Sequence, residues 1–160
     1  AMSARQLRKI RPDIQIIFDK VFGNIKLPYP IKIYKTEDIT GDGVPEALVD
    51  IGLPGANTIS YALMMIDNGK PALALFKEKD GKISSSKFFM QGGCASTGLA
   101  FDFLPAENAI FQGESQNFSA GHPCSVNVYK WNETTKIFEF NLNLSNKIKS
   151  DVCSRPEMNS

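Results

Sequence analysis

The sequence predicts an α+β domain in which an N-terminal helix packs on a curved antiparallel β meander of about seven to nine strands. Three observations carry this expectation. Apolar residues near the start recur at spacings of three and four; from Ile31 onward the period shortens to two or to brief apolar runs; and the turns between runs are too short to hold a crossover. With 160 residues, 42% of them hydrophobic, the chain is long enough to bury one sizeable core. A single domain over 1–160 is therefore expected, with helix and connector in 1–30, the sheet in 31–142 and a tail in 143–160.

The helix is read from Leu7, Ile10, Ile14, Ile17 and Val21, which share one face, with Phe18 and Phe22 beside them. Pro12 is best placed in a first turn and Gly23 as a stop, so the secure part runs from about Pro12 to Phe22. Leu27-Pro28-Tyr29-Pro30 is an extended connector, because each proline disfavours helical backbone in the residue before it. Strand signals follow at Ile31–Lys35, Ala47–Ile51 and Tyr61–Ile66. Asp67-Asn68-Gly69-Lys70 is a tight turn by composition, and Ala72–Lys77 returns as its partner strand. After Asp80-Gly81, further strands are expected at Phe88–Met90, Leu99–Leu104, Ala109–Gln112, Val126–Trp131 and Ile137–Leu142. In the penultimate strand Val126 and Val128 fall on one face and Tyr129 and Trp131 on the other, so both faces are expected to be covered, one by the N-terminal helix and one by the sheet curling on itself. A last short helix is expected over Asn141–Ser150.

Bulk composition excludes some partners. The net charge of +1 provides no general attraction for nucleic acid or an acidic membrane. Residues 1–35 hold eight basic and two acidic side chains, a cluster that reads as a solvated helix face rather than an anionic-partner patch. No stretch approaches the ~20 apolar residues of a bilayer span, and no signal-peptide hydrophobic region is present. Ala1-Met2-Ser3 reads as a cut terminus, leaving room for a removed export signal.

The stretch with ligand-like spacing is Asp38-Ile39-Thr40-Gly41-Asp42-Gly43-Val44-Pro45-Glu46, leading straight into Ala47-Leu48-Val49-Asp50-Ile51-Gly52. Side-chain oxygens at 38, 40 and 42, glycines that permit a sharp bend, and a returning carboxylate at 46 are what a short loop needs to wrap a hard cation. An EF-hand counted from Asp38 fails, since its twelfth position is Val49 and the flanks read as strands. The plainer reading is a tight turn at Gly41-Asp42-Gly43, with Asp38 and Asp42 accepting from local backbone. The pattern resembles the calcium loops of FG-GAP and VCBS repeats, in which Asp-x-Asn/Asp/Thr-x-Asp-Gly-x-x-Asp/Glu runs into a strand of alternating Leu and Val. That resemblance implies a structural calcium ligated by the side chains of Asp38, Thr40, Asp42 and Glu46 and by the Val44 carbonyl. It covers about fifteen residues and occurs once, so it concerns the loop and not a propeller fold. The wider pattern, from helix through this loop to a Cys-x-x-x-Tyr-x-Trp strand, also resembles small exported bacterial proteins of unknown function.

Two further stretches offer chemistry or contact. Gly52-Leu53-Pro54-Gly55-Ala56-Asn57-Thr58 lacks the Lys-Ser/Thr ending of a phosphate-cradling loop and reads as a wide turn, with Gly52, Pro54, Gly55 and Asn57 as a candidate partner surface. Cys94, among glycines, with His122 downstream can be imagined as a thiol nucleophile with an imidazole base, but the segment around Cys94 reads as a loop between strands that supplies no helix start or cation to lower its pKa. Three cysteines match no zinc spacing. Cys124 with Cys153 is the favoured disulfide, enclosing about 28 residues and contributing ~3 kcal/mol, with Cys94–Cys124 as the alternative. A disulfide and a calcium loop both point to an oxidising compartment. The expected function is a monomeric, non-enzymatic, secreted or periplasmic domain that binds a protein or surface polymer and holds one structural calcium. An inhibitor of a secreted enzyme and a cysteine hydrolase using Cys94 and His122 are the alternatives.

Overall fold

The computed structural model describes residues 32–50, 58–67, 70–84, 88–92, 97–116 and 124–158. Eleven strands lie among them: β1 (Lys32–Glu37), β2 (Glu46–Asp50), β3 (Thr58–Asp67), β4 (Lys70–Leu73), β5 (Phe76–Lys77), β6 (Ile83–Ser84), β7 (Phe88–Gly92), β8 (Thr97–Leu104), β9 (Ala109–Gln116), β10 (Cys124–Asn132) and β11 (Ile137–Phe140). A helix, α1 (Leu142–Cys153), follows them. The expected helix over Pro12–Phe22 lies outside the described residues.

The expectation of one curved α+β meander is overturned, because the strands form two sheets and the described fold is mostly β with one C-terminal helix. The first sheet runs β1-β2-β3-β4, with β7 pairing to β3 through Thr58–Ala62 beside the stretch that pairs with β4. The second runs β6-β5-β11-β10-β9-β8. The run Ala72–Lys77, expected as one strand, is divided between them. Ala74 N–H still donates to the Leu63 carbonyl of the first sheet at 3.0 Å, whereas the Leu75 carbonyl accepts from Phe138 N–H of the second at 2.9 Å. The part that joins the second sheet, β5, pairs parallel with β11, with Phe138 opposite Phe76 and Glu139 opposite Lys77. Short turns dictate antiparallel pairing only for strands that follow one another, and these two are separated by most of the second sheet.

Apolar residues of both sheets meet in one core. Leu48, Tyr61 and Leu63 come from the first sheet, and Phe76, Phe103, Ile110, Tyr129, Trp131 and Phe138 from the second. Tyr129 is fully buried, and its O–H donates to Glu78 Oε2 at 2.6 Å; burial and then that carboxylate push the phenol above its ordinary pKa. On one side of the sandwich, the register slip between Ile33 and Lys35 makes Tyr34 a bulge residue. Its ring sits 4.8 Å from Tyr61 and 5.9 Å from Phe101, while Lys35 pairs with Asp102 at 2.5 Å, so β1 is drawn to β8 across the gap between sheets.

The opposite face of the second sheet is covered by α1, and not by the curling expected from sequence. Leu144, Ile148 and Val152, four residues apart, place one helix stripe on Phe111, Val126 and Val128. Gly113 permits the close approach, since a Cβ there would lie 2.7 Å from Val152 Cγ1. Near its start the helix also completes the β10 ladder beyond the end of β11. Asn141 N–H donates to the Val128 carbonyl at 2.8 Å, and Val128 N–H donates to Ser145 Oγ at 2.9 Å. At its end Cys153 is bonded to Cys124 of β10, the pairing favoured from sequence, with a Cα–Cα distance of 6.1 Å. Among the described residues no helix is long and apolar enough to cross a membrane. The disulfide is consistent with a compartment outside the cytoplasm.

Candidate metal centre

The loop Asp38–Pro45 joins β1 to β2, and its last framing pair is Glu37 opposite Glu46. Gly41 and Gly43 adopt φ of 81° and 83°, the left-handed backbone that a side chain disfavours. With those two bends the loop turns its own N–H groups toward its carboxylates. Asp38 Oδ1 accepts from Gly41 N–H and Asp38 Oδ2 from Gly43 N–H, each at 2.9 Å. Asp42 Oδ1 accepts from Val44 N–H at 2.8 Å. These are the local bonds that a simple turn would make.

Glu46 goes further than a turn requires. It opens β2, is 1% exposed, and reaches back to accept from Ile39 N–H at 2.8 Å and Thr40 N–H at 3.0 Å through one oxygen, Oε1. Its other oxygen, Oε2, takes the Thr40 hydroxyl at 3.3 Å, and Thr40 Oγ1 also lies 3.5 Å from Asp38 Oδ1. One carboxylate oxygen from each of Asp38, Asp42 and Glu46 lies within 4.8 Å of the others. Among the described residues no lysine or arginine forms an ion pair with any of the three. Burial therefore raises the Glu46 carboxyl to about 7, with Asp42 and then Asp38 adding to the rise, while the Ile39 and Thr40 N–H groups oppose it. The group can hold a metal ion, and an all-oxygen donor set suits a hard cation rather than a thiophilic one.

Of the residues expected here from sequence, Asp38, Thr40, Asp42 and Glu46 are brought together. Val44 contributes its N–H to the loop's internal bonding. Gly52, Pro54, Gly55 and Asn57 of the candidate partner loop, and Cys94 and His122 of the alternative hydrolase pair, lie outside the described residues.

One participant was not anticipated. Asn108 Nδ2, from the turn between β8 and β9, donates to the Ile39 carbonyl at 3.4 Å. In the sequence it is visible only as the last residue of a polar turn, Pro105-Ala106-Glu107-Asn108, with nothing local to aim it at a loop so distant along the chain.

Elsewhere, a depression of about 350 Å³ at the β10–β11 hairpin is lined by Lys130, Trp131, Asn132, Glu133, Glu139 and Phe140. Its acids are already engaged. Glu133 bonds Lys136 and accepts from Trp131 Nε1 at 2.8 Å, which hold its carboxyl below the usual range, and Glu139 accepts from Asn132 Nδ2 at 3.0 Å. Compared with models of known protein families, with curated proteins and with solved structures, the chain matches none.

Proposed function

We propose that this chain is a non-enzymatic binding domain of the periplasm or the extracellular space, with one structural calcium ion held in the β1–β2 loop and a protein or surface polymer as its partner. The observation that carries the ion is the convergence of three carboxylates around the buried Glu46 without a basic partner among the described residues. Asp42 is exposed and Asp38 half-buried, and holding their charges beside the buried Glu46 carboxylate is unfavourable for its ionised form unless a proton or a cation compensates it. Thr40 Oγ1 and the Val44 carbonyl complete the proposed ligand set, as in the calcium loops that the sequence resembles. Calcium is favoured over magnesium because a mixed set of carboxylate, hydroxyl and carbonyl oxygens suits its larger and less regular shell. The role assigned to the ion is structural, since Glu46 is buried and its Oε1 already holds two backbone N–H groups. The extracytoplasmic placement draws on the Cys124–Cys153 disulfide.

The test is thermal melting of the whole protein in millimolar calcium, in millimolar magnesium and in a chelator. Calcium is expected to raise the melting temperature above that in chelator, and magnesium to raise it less. An identical melting temperature in calcium and chelator would sink the proposal.

A further inference from the structure

The β1–β2 loop belongs to the first sheet, yet the side chain that steadies its backbone from outside the hairpin comes from the second. Asn108 follows the 3-10 turn Pro105–Glu107 with φ of 50°, a left-handed conformation that asparagine tolerates better than most residues. There its two polar ends serve different partners. Nδ2 donates to the Ile39 carbonyl at 3.4 Å, and the Asn108 carbonyl accepts from Trp131 N–H at 2.8 Å. The same Nδ2 would lie 3.5 Å from a Cβ built on Gly41, so the amide sits against the loop at two points. The Ile39 carbonyl belongs to the same peptide group as Thr40 N–H, one of the two N–H groups that hold Glu46 Oε1. A continuous line of polar contacts thus runs from the Glu46 carboxylate through the Ile39–Thr40 peptide and Asn108 to the backbone of Trp131.

We infer that Asn108 is a positioning residue that couples the state of the carboxylate loop to Trp131 in the second sheet. Filling the loop with a cation resets the Ile39–Thr40 peptide, and the Asn108 amide transmits that change across the gap between sheets. The ligand-driven part of this inference rests on the calcium reading. Trp131 is a suitable reporter because it is the chain's one tryptophan, and it is buried in the core between the sheets with its ring 4.9 Å from that of Phe138.

The experiment titrates calcium into the full chain while following tryptophan emission, with calorimetry in parallel, for the native protein and for Asn108→Gly. Glycine keeps the positive φ and removes only the amide. In the native protein the emission is expected to change with the calorimetric midpoint. In Asn108→Gly, calcium is expected to bind about fivefold more weakly, the factor one ordinary hydrogen bond supplies, and to leave emission unchanged at saturation. Heat of binding without an emission change in the native protein overturns the inference, as does a native-sized change in the variant; both leave the calcium reading intact. If the native protein shows no heat of binding, the calcium reading fails and the coupling is decided without the ion. Asp38→Asn, Asn108→Gly and the double variant are then melted in chelator. Effects that fall short of additivity support the link, and strictly additive effects overturn it.

Discussion

The β1–β2 loop and the α1 helix are both peripheral pieces fastened to a sheet, and they are fastened in opposite ways. The helix is held by matched contacts: an apolar stripe on Phe111, Val126 and Val128, a ladder completed through Asn141 and Ser145, and a covalent bond at Cys153. Nothing in that set needs a third party. The loop is held by carboxylates that accept from its own N–H groups while facing one another within 4.8 Å. Its hydrogen bonds are satisfied and its charges are not. Such a piece has groups that can take up a proton or a metal ion, whereas the helix is clamped by a bond that only a reductant opens. The contrast separates a region built for permanence from one built to be conditional.

The largest effect that sharpens this contrast is loss of the covalent clamp. Replacing both Cys124 and Cys153 with alanine opens a crosslink of sequence separation 29, which the chain-entropy model values at ~3 to 4 kcal/mol. Denaturant melts should show that loss while the calcium-induced rise in melting temperature stays the same size. A double variant that also loses its calcium response would break the comparison, because the helix and the loop would then be one cooperative unit.

Next in size is the pH dependence of the loop. Burial raises the Glu46 carboxyl from its ordinary 4.5 to about 7 in the folded chain, so between those values the folded chain binds more protons. Stability in chelator should therefore be highest below pH 4.5 as far as this group is concerned and should fall as pH rises to about 7, by an amount of order 3 kcal/mol. On the calcium proposal the ion would hold the ionised form, so any stabilisation it provides should grow over the same window. Glu46→Gln keeps a carbonyl to accept from Ile39 and Thr40 and removes the charge; in chelator it should abolish this pH dependence, and it should remove the calcium response. Urea melts at pH 5 and 7.5 measure both effects, and a native protein in chelator that gains stability across this range contradicts the assignment.

Which parts of this were legible in the sequence follows from what periodicity can encode. Alternation in β10 correctly separated Val126 and Val128 from Tyr129 and Trp131, since a strand turns successive side chains to opposite faces. It could not say what covers each face, and a second sheet and the C-terminal helix do so where an N-terminal helix and a closed meander were expected. An apolar run has no marker for the sheet it joins, which is why the transfer between Ala74 and Leu75 was invisible. The carboxylates of the loop were legible because their contacts are local; Asn108 was not, because its contact depends on how β8 and β9 lie against β1 and β2.

The smallest effect tests whether the helix side is self-sufficient at the end that carries no disulfide. Asn141 caps α1 by accepting from Leu144 N–H at 2.9 Å, and its carbonyl accepts from the Ser145 hydroxyl at 2.6 Å. That second bond orients the hydroxyl whose lone pair receives Val128 N–H, so the cap sits at the join between helix and ladder. Asn141→Ala removes only the side-chain part, leaving the backbone bonds to Val128 and Ser145 in place, and should cost about 1 kcal/mol. Asn141→Asp restores an acceptor beside the positive end of the helix and should be close to neutral. With the disulfide intact, both variants should bind calcium as the native protein does, because the cap and the carboxylates share no hydrogen bond among the described residues. A loss well above 1 kcal/mol in Asn141→Ala would mean that the first turn and the end of the β10 ladder form one unit, so that the helix depends on its polar start as much as on Cys153.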